Sequence, residues 1–208
     1  MASALFICEA CVETIEQAIT AEKHGADRIE FCADLGQDGL TPAVDDVQEL
    51  QTLLNIPIKV MIRCRSGNFI YSSDEIAEML DEIHQFQLIG IRDFVFGALD
   101  RKNHIDLAAI QKINQKAGDC RFTFHKAIDL CDDPLAELEK LAPFNCFDSI
   151  LTSGKKPTAI EGNKLINQMH GRFGKRFSII AAGKITTENI TELRKRLFVN
   201  EFHGRLIV

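Results

Sequence analysis

Eight short β-rich runs, separated by stretches of helical spacing, constrain this chain more than any other feature. The runs are Ala4 to Glu9, Arg28 to Cys32, Ile58 to Arg63, Asp93 to Phe96, Arg121 to His125, Asp148 to Thr152, Phe177 to Ala182 and Val199 to His203. Between them, apolar residues recur at helical intervals. Ile76, Leu80 and Ile83 share one side of Ser73 to Gln87, and Leu135, Leu138 and Leu141 follow the start signal Asp133-Pro134. Near-continuous apolar strands alternating with amphipathic helices imply a parallel sheet covered by helices, and eight such units favour closure over an open sheet. The expected fold is an α/β, TIM-type (β/α)8 barrel forming one domain over residues 1–208. Seven helical stretches are visible, and the chain stops at Val208 soon after the eighth run. The last covering helix is therefore expected to be absent, incomplete or supplied by a neighbouring chain.

At 208 residues the chain suits one such domain, and no Pro/Ser-rich linker or low-complexity tract divides it. A net charge of -6, without a compensating basic stripe, repels a phosphate backbone, so nucleic acid is not an expected partner. Apolar runs such as Phe177 to Ala182 fall far below the roughly 18 residues that span a bilayer. The first residues lack a charged segment followed by an apolar signal core, so neither membrane insertion nor export is expected. The seven cysteines are scattered rather than framed in pairs, which suits free thiols in a reducing compartment and a cytoplasmic location.

In such barrels the carboxyl ends of the strands form the working face, and several runs here turn polar at that end. Glu9 closes the first run, Glu30 and Cys32 the second, Arg63 the third, His125 the fifth, Glu201 and His203 the eighth. Side chains two apart on a strand point the same way, so Glu30 with Cys32, Thr123 with His125 and Glu201 with His203 are expected to project together. Carboxylates and histidines in one mouth suit proton transfer or metal binding, and Arg63 suits a carboxylate or phosphate. The same residues could instead pair among themselves as a structural network. His24, His84, His104 and His170 fall in helices or loops and are expected at the surface.

Glycine-rich turns follow the last three runs: Thr152-Ser153-Gly154, Ala182-Gly183-Lys184 and Gly204-Arg205. Loops of this kind bind phosphate through backbone N–H groups, so Ser153, Gly154, Gly183 and Gly204 are candidate anion-binding positions, although glycine at a strand-to-helix turn also has purely backbone reasons. Cys8 and Cys11 have CxxC spacing but no second pair, a poor zinc site. Cys11 and Cys32 follow adjacent runs and could bring two thiols together, a soft pair suited to Cu(I), or could be idle buried thiols.

Taken together, Gly25-Ala26-Asp27-Arg28-Ile29-Glu30-Phe31-Cys32, Gly39-Leu40-Thr41-Pro42, Met61 to Phe69, Thr123 to Asp129, Leu151 to Gly154 and Glu201-Phe202-His203 resemble the CutC family, named for copper homeostasis. The resemblance runs from about Ile7 to His203. It implies a TIM-type barrel, a cytoplasmic location, a homodimer, and a Cu(I)-binding thiol pair at Cys11 and Cys32. It also places the family's polar mouth on Glu9, Glu30, Arg63, His125, Asp129, Ser153, Glu201 and His203. Departures from the family pattern are Cys64 for a proline, Ser66 for a glycine, Asn68 for an aspartate and Lys184 for a glycine. Two functions follow as expectations. The first is copper homeostasis through copper-ion binding. The second is a barrel enzyme of lyase or isomerase type, transferring protons on a small anionic or phosphorylated metabolite. A barrel acting only through a partner surface ranks behind both.

Overall fold

Alternation along each strand separates two chemistries. Outward positions such as Ile29 and Phe31, Val60 and Ile62, Phe94 and Phe96, Phe122 and Phe124 are apolar and fully buried against the helices. Inward positions carry Glu9 and Cys11, Glu30 and Cys32, Lys59 and Arg63, Thr123 and His125. The outer layer drives folding through apolar burial. The inner layer is where polar groups must satisfy one another or a ligand.

The computed structural model describes residues 6–208. Its strands are β1 (Ile7–Val12), β2 (Arg28–Phe31), β3 (Ile58–Met61), β4 (Asp93–Phe96), β5 (Arg121–Phe124), β6 (Phe147–Thr152), β7 (Ser178–Ala181) and β8 (Glu201–Gly204). Every strand runs parallel to its neighbours in sequence, and β8 pairs with β1 to close the barrel. The helices are α1 (Ile15–Lys23), α2 (Val44–Leu53), α3 (Ser73–Leu88), α4 (Leu107–Lys116), α5 (Pro134–Leu141), α6 (Asn163–Phe173) and α7 (Ile190–Arg196). Short 3-10 turns at Leu35–Gln37 and Lys126–Leu130 follow β2 and β5.

Local signals account for the helix starts. Ser72 and Glu75 form a reciprocal capping box at α3, and Asp106 and Asp133 accept backbone N–H groups at α4 and α5. Each cap contributes about 1 kcal/mol. Between sheet and helices, Phe94 and Phe122 stack with centroids 5.3 Å apart, and Phe122 and Phe147 lie 5.4 Å apart.

The first and last strands differ from expectation. The first run was expected over Ala4 to Glu9, of which Ala4 and Leu5 lie outside the described residues; β1 instead continues to Val12. The eighth was expected from Val199, whereas β8 starts at Glu201. No helix follows β8 among the described residues. The chain instead turns back, with the Leu206 carbonyl accepting the Thr187 N–H at 2.9 Å and Ile207 buried. The expected barrel lacking its last covering helix is thus the observed one.

Candidate functional site

A cavity of about 710 Å³ opens at the carboxyl ends of the strands, with Cys11, Glu30, Met61, Arg63, His125 and His203 among its lining residues. Gly183 and Gly204 also line it. Five of these six lining residues, all but Met61, were expected site residues, and both glycines were expected anion-binding positions.

Glu9 and Glu201 are not at this mouth. Because β1 runs on past Glu9, that residue sits in mid-strand and is wholly buried. Glu201 begins β8 and so lies toward the amino end of the barrel. Both carboxylates meet Arg28, whose Nε is 2.5 Å from Glu9 and whose Nη2 is 2.6 Å from Glu201. Lys59 Nζ stands 3.2 Å from Glu9 and donates to Thr123 Oγ1 at 2.7 Å. His203 Nδ1 lies 2.9 Å from Glu9 Oε1. Burial would raise the Glu9 pKa, but Lys59, His203 and Arg28 overcome it and hold the carboxyl well below its usual range. Burial likewise opposes a charged His203, yet Glu30, Cys11 and Glu9 keep it protonated well above its usual range. Charged groups that would be costly alone are thereby neutralised within the barrel.

Above this layer the two expected thiols do converge. Cys11 Sγ lies 3.7 Å and Cys32 Sγ 3.6 Å from the same oxygen, Glu30 Oε1. One sulfur from each cysteine and a Glu30 oxygen all fall within 4.8 Å of one another. A hydrogen bond from Cys32 holds Cys11 well below the usual thiol range, and the same bond pushes Cys32 well above it. Burial raises Glu30 to about 8, so it is a neutral acid at pH 7. A second triad, Glu9, Glu30 and His203, also has ligand-type atoms within 4.8 Å, but its members are held in the charge network just described.

On the opposite wall, Arg63 is not the open fork that its residue type suggested. Its Nη1 donates to the carbonyls of Gln37, Asp38 and Gly39 at 3.1, 3.1 and 3.2 Å, and its Nη2 to Gly67 at 3.0 Å. Only Nε, buried, lacks a partner. His125 accepts the Ala127 N–H at Nδ1, which leaves the ring proton on Nε2, also buried and without a partner. Burial first, then the Arg63 cation, push His125 down to about 3, so the ring is neutral. A Cβ on Gly97 would come within 2.5 Å of this ring, so glycine there makes room for it. Glu30 Oε2 and the Tyr71 hydroxyl are the other two buried polar atoms without a partner among the described residues.

The loop after β6 corrects another expectation. Asp129 fills it from within, its carboxylate accepting from Thr152 Oγ1 at 2.5 Å, Ser153 N at 2.8 Å, Ser153 Oγ at 3.0 Å and Lys155 N at 3.0 Å. Donors that would cradle an external anion already hold this side chain, and neither Ser153 nor Gly154 lines the cavity. Of the other histidines, His24 and His84 are exposed as expected, while His104 and His170 are half-buried.

Sequence reasoning missed Lys59 and Phe69. Lys59 left a signal, a lone charge inside the apolar run Ile58 to Met61 with the same parity as Arg63. Phe69 left none, since partners distant in sequence place it: the Leu99 N–H donates to its carbonyl at 2.8 Å and its ring packs against Arg63 and His125.

The profile of the CutC family matches residues 6–208. A family protein CutC of Pasteurella multocida is 39% identical over 195 residues, spanning 94% of this chain and 80% of that protein. A human protein named copper homeostasis protein cutC homolog is 37% identical over 198 residues, 95% of this chain and 72% of the human one. The crystal structure of a copper homeostasis protein CutC from Streptococcus agalactiae superposes with a TM-score of 0.93 at 28% identity, over 98% of this chain and 100% of that one. Phosphoribosyl anthranilate isomerase from Thermococcus kodakaraensis shares the fold alone, with a TM-score of 0.58 at 18% identity over 96% of this chain and 87% of that one.

Proposed function

The chain belongs to the CutC family, and from that premise we propose that it serves copper homeostasis by holding Cu(I) between Cys11 and Cys32. The observation that carries this reading is the convergence of the two sulfurs on Glu30 Oε1, 3.7 and 3.6 Å away, from adjacent strands. Thiolates are soft ligands suited to Cu(I), and the Cys32 hydrogen bond holds Cys11 well below the usual thiol range. Glu30, a hard oxygen donor that is neutral at pH 7, fits better as the hydrogen-bonding partner of the sulfurs than as a ligand. Copper is cargo in this reading, and the seven free thiols require a reducing compartment such as the cytoplasm.

The test is an anaerobic Cu(I) titration of the reduced protein against a competing chelator. The expected result is one Cu(I) per chain, with affinity falling at least 100-fold in the Cys11→Ser/Cys32→Ser variant and unchanged in Cys146→Ser. Equal affinity in wild type and double variant would end this reading.

A second reading, a small anion bound in the same cavity with proton transfer by its acids and bases, is favoured by three of the four unpartnered buried atoms, Glu30 Oε2, Arg63 Nε and His125 Nε2, whose residues line the cavity; the fourth is the Tyr71 hydroxyl. A cavity of about 710 Å³ is also far larger than one metal ion needs and lies within the range of small-molecule sites.

A further inference from the structure

Arg63 and His125 narrow what this cavity accepts. Phe69 packs against both, its ring 4.9 Å from the Arg63 guanidinium carbon and 4.6 Å, centroid to centroid, from the His125 ring. The two residues and the aromatic ring form one wall. Arg63 is 3% exposed and His125 4%, and each has one N–H without a partner. Leaving a buried donor unpaired is costly, so a wall with two of them is built for an acceptor. Neither group has freedom to turn away, because Arg63 is tied by four carbonyls and His125 by the Ala127 N–H.

We propose that this wall clamps the carboxylate of a small organic acid, receiving one N–H from Arg63 Nε and one from His125 Nε2. The proposal rests on the small-anion reading above and names its ligand class. Two donors suit the two oxygens of a carboxylate. The wall itself holds one cation, Arg63, beside a neutral imidazole, and the other cations of the cavity, Lys126, Lys184, His203 and Arg205, stand outside it. The loop best placed to cradle phosphate, after β6, is already occupied by Asp129. Met61, Leu151 and Ala182 also line the cavity and give the acid's carbon skeleton an apolar surface. The charged residues Glu30, Asp38, Lys126, Lys184, His203 and Arg205 also line it, of which Asp38, Lys126, Lys184 and Arg205 are exposed.

The test is calorimetric titration of the copper-free, full-length protein at pH 7 with acetate, pyruvate, L-lactate and benzoate, beside acetamide and inorganic phosphate. At least one carboxylate is expected to bind, at least tenfold more tightly than the amide or phosphate. His125→Asn, whose amide oxygen can still accept the Ala127 N–H, is expected to weaken that binding about tenfold or more, the loss of one charge-assisted hydrogen bond. Cys146→Ser, at a residue that does not line the cavity, is expected to bind the acid unchanged. Nitrogen NMR of the wild type gives a readout independent of any variant: the His125 Nε2–H resonance should move on binding. Phosphate binding without carboxylate binding would overturn the ligand class while sparing the small-anion reading. Absence of binding by every anion would overturn both. Carboxylate binding that leaves the His125 resonance unmoved would overturn the clamp.

Discussion

Lys59 Nζ lies 3.2 Å from Glu9 Oε2 in the barrel interior, where Glu9 has no exposure to solvent. Removing either partner leaves buried charge less well compensated. Lys59→Met and Glu9→Gln are each expected to cost about 3 kcal/mol in urea unfolding. The double variant should cost less than the sum of the two, because the residues share one network. Additive losses would show that the pair is not coupled.

His125 makes the protein sensitive to acid. Its pKa in the fold, about 3, is lower than the roughly 6.5 of an unfolded histidine, so between these values the unfolded chain binds the extra proton. The contribution of this residue to stability is therefore complete above pH 6.5 and is lost as pH falls toward 3. At pH 5 the loss from His125 is about 2 kcal/mol. His125→Asn should flatten the stability profile between pH 6.5 and 4, and parallel profiles for variant and wild type would refute this origin.

Asp129 occupies a nest of four donors. Asp129→Ala should cost about 2–4 kcal/mol by leaving these groups without an acceptor. An added anion can then take the place of the carboxylate. Phosphate is expected to raise the Tm of the variant well above any effect on the wild type, as measured by thermal unfolding. An equal response in both would mean that the nest collapses when it is empty.

Gly39 keeps the copper-site cysteine in place. It has φ +85°, and a Cβ there would stand 3.2 Å from Cys32 Sγ. Gly39→Ala is expected to cost about 1–3 kcal/mol in stability and to weaken Cu(I) binding by shifting Cys32. Gly171→Ala, inside α6 with open space around it, should instead stabilise by about 0.5–1 kcal/mol and leave copper binding alone. Unaltered Cu(I) affinity in Gly39→Ala would place the sulfur's support elsewhere.

The barrel and much of its mouth were legible because strand parity is local information. Glu30, Arg63, His125 and His203 were named from the polar ends of apolar runs and Cys11 as a thiol following one, and all five line the cavity. The same rule misplaced Glu9 and Glu201. It treats a charged residue as the end of a strand, whereas Arg28 and Lys59, arriving from β2 and β3, let Glu9 stay inside β1 and draw Glu201 to the amino end. Asp129 was placed at the mouth by the family resemblance, but the turn after β6 folds around it.

Periodicity and order along the chain are enough to settle the number of strands, their parallel closure, the seven helices and the face on which function gathers, because each depends on contacts between near neighbours or on the handedness of βαβ units. The state of each polar group depends on partners far away in the chain. Arg63 keeps only Nε free because two loops hand it four carbonyls, Cys11 is held below the usual thiol range by Cys32 from the end of β2 and by His203 from β8, and His125 is neutral because it is buried beside Arg63. Desolvation and Coulomb interactions between distant residues set these states, and no local pattern encodes them.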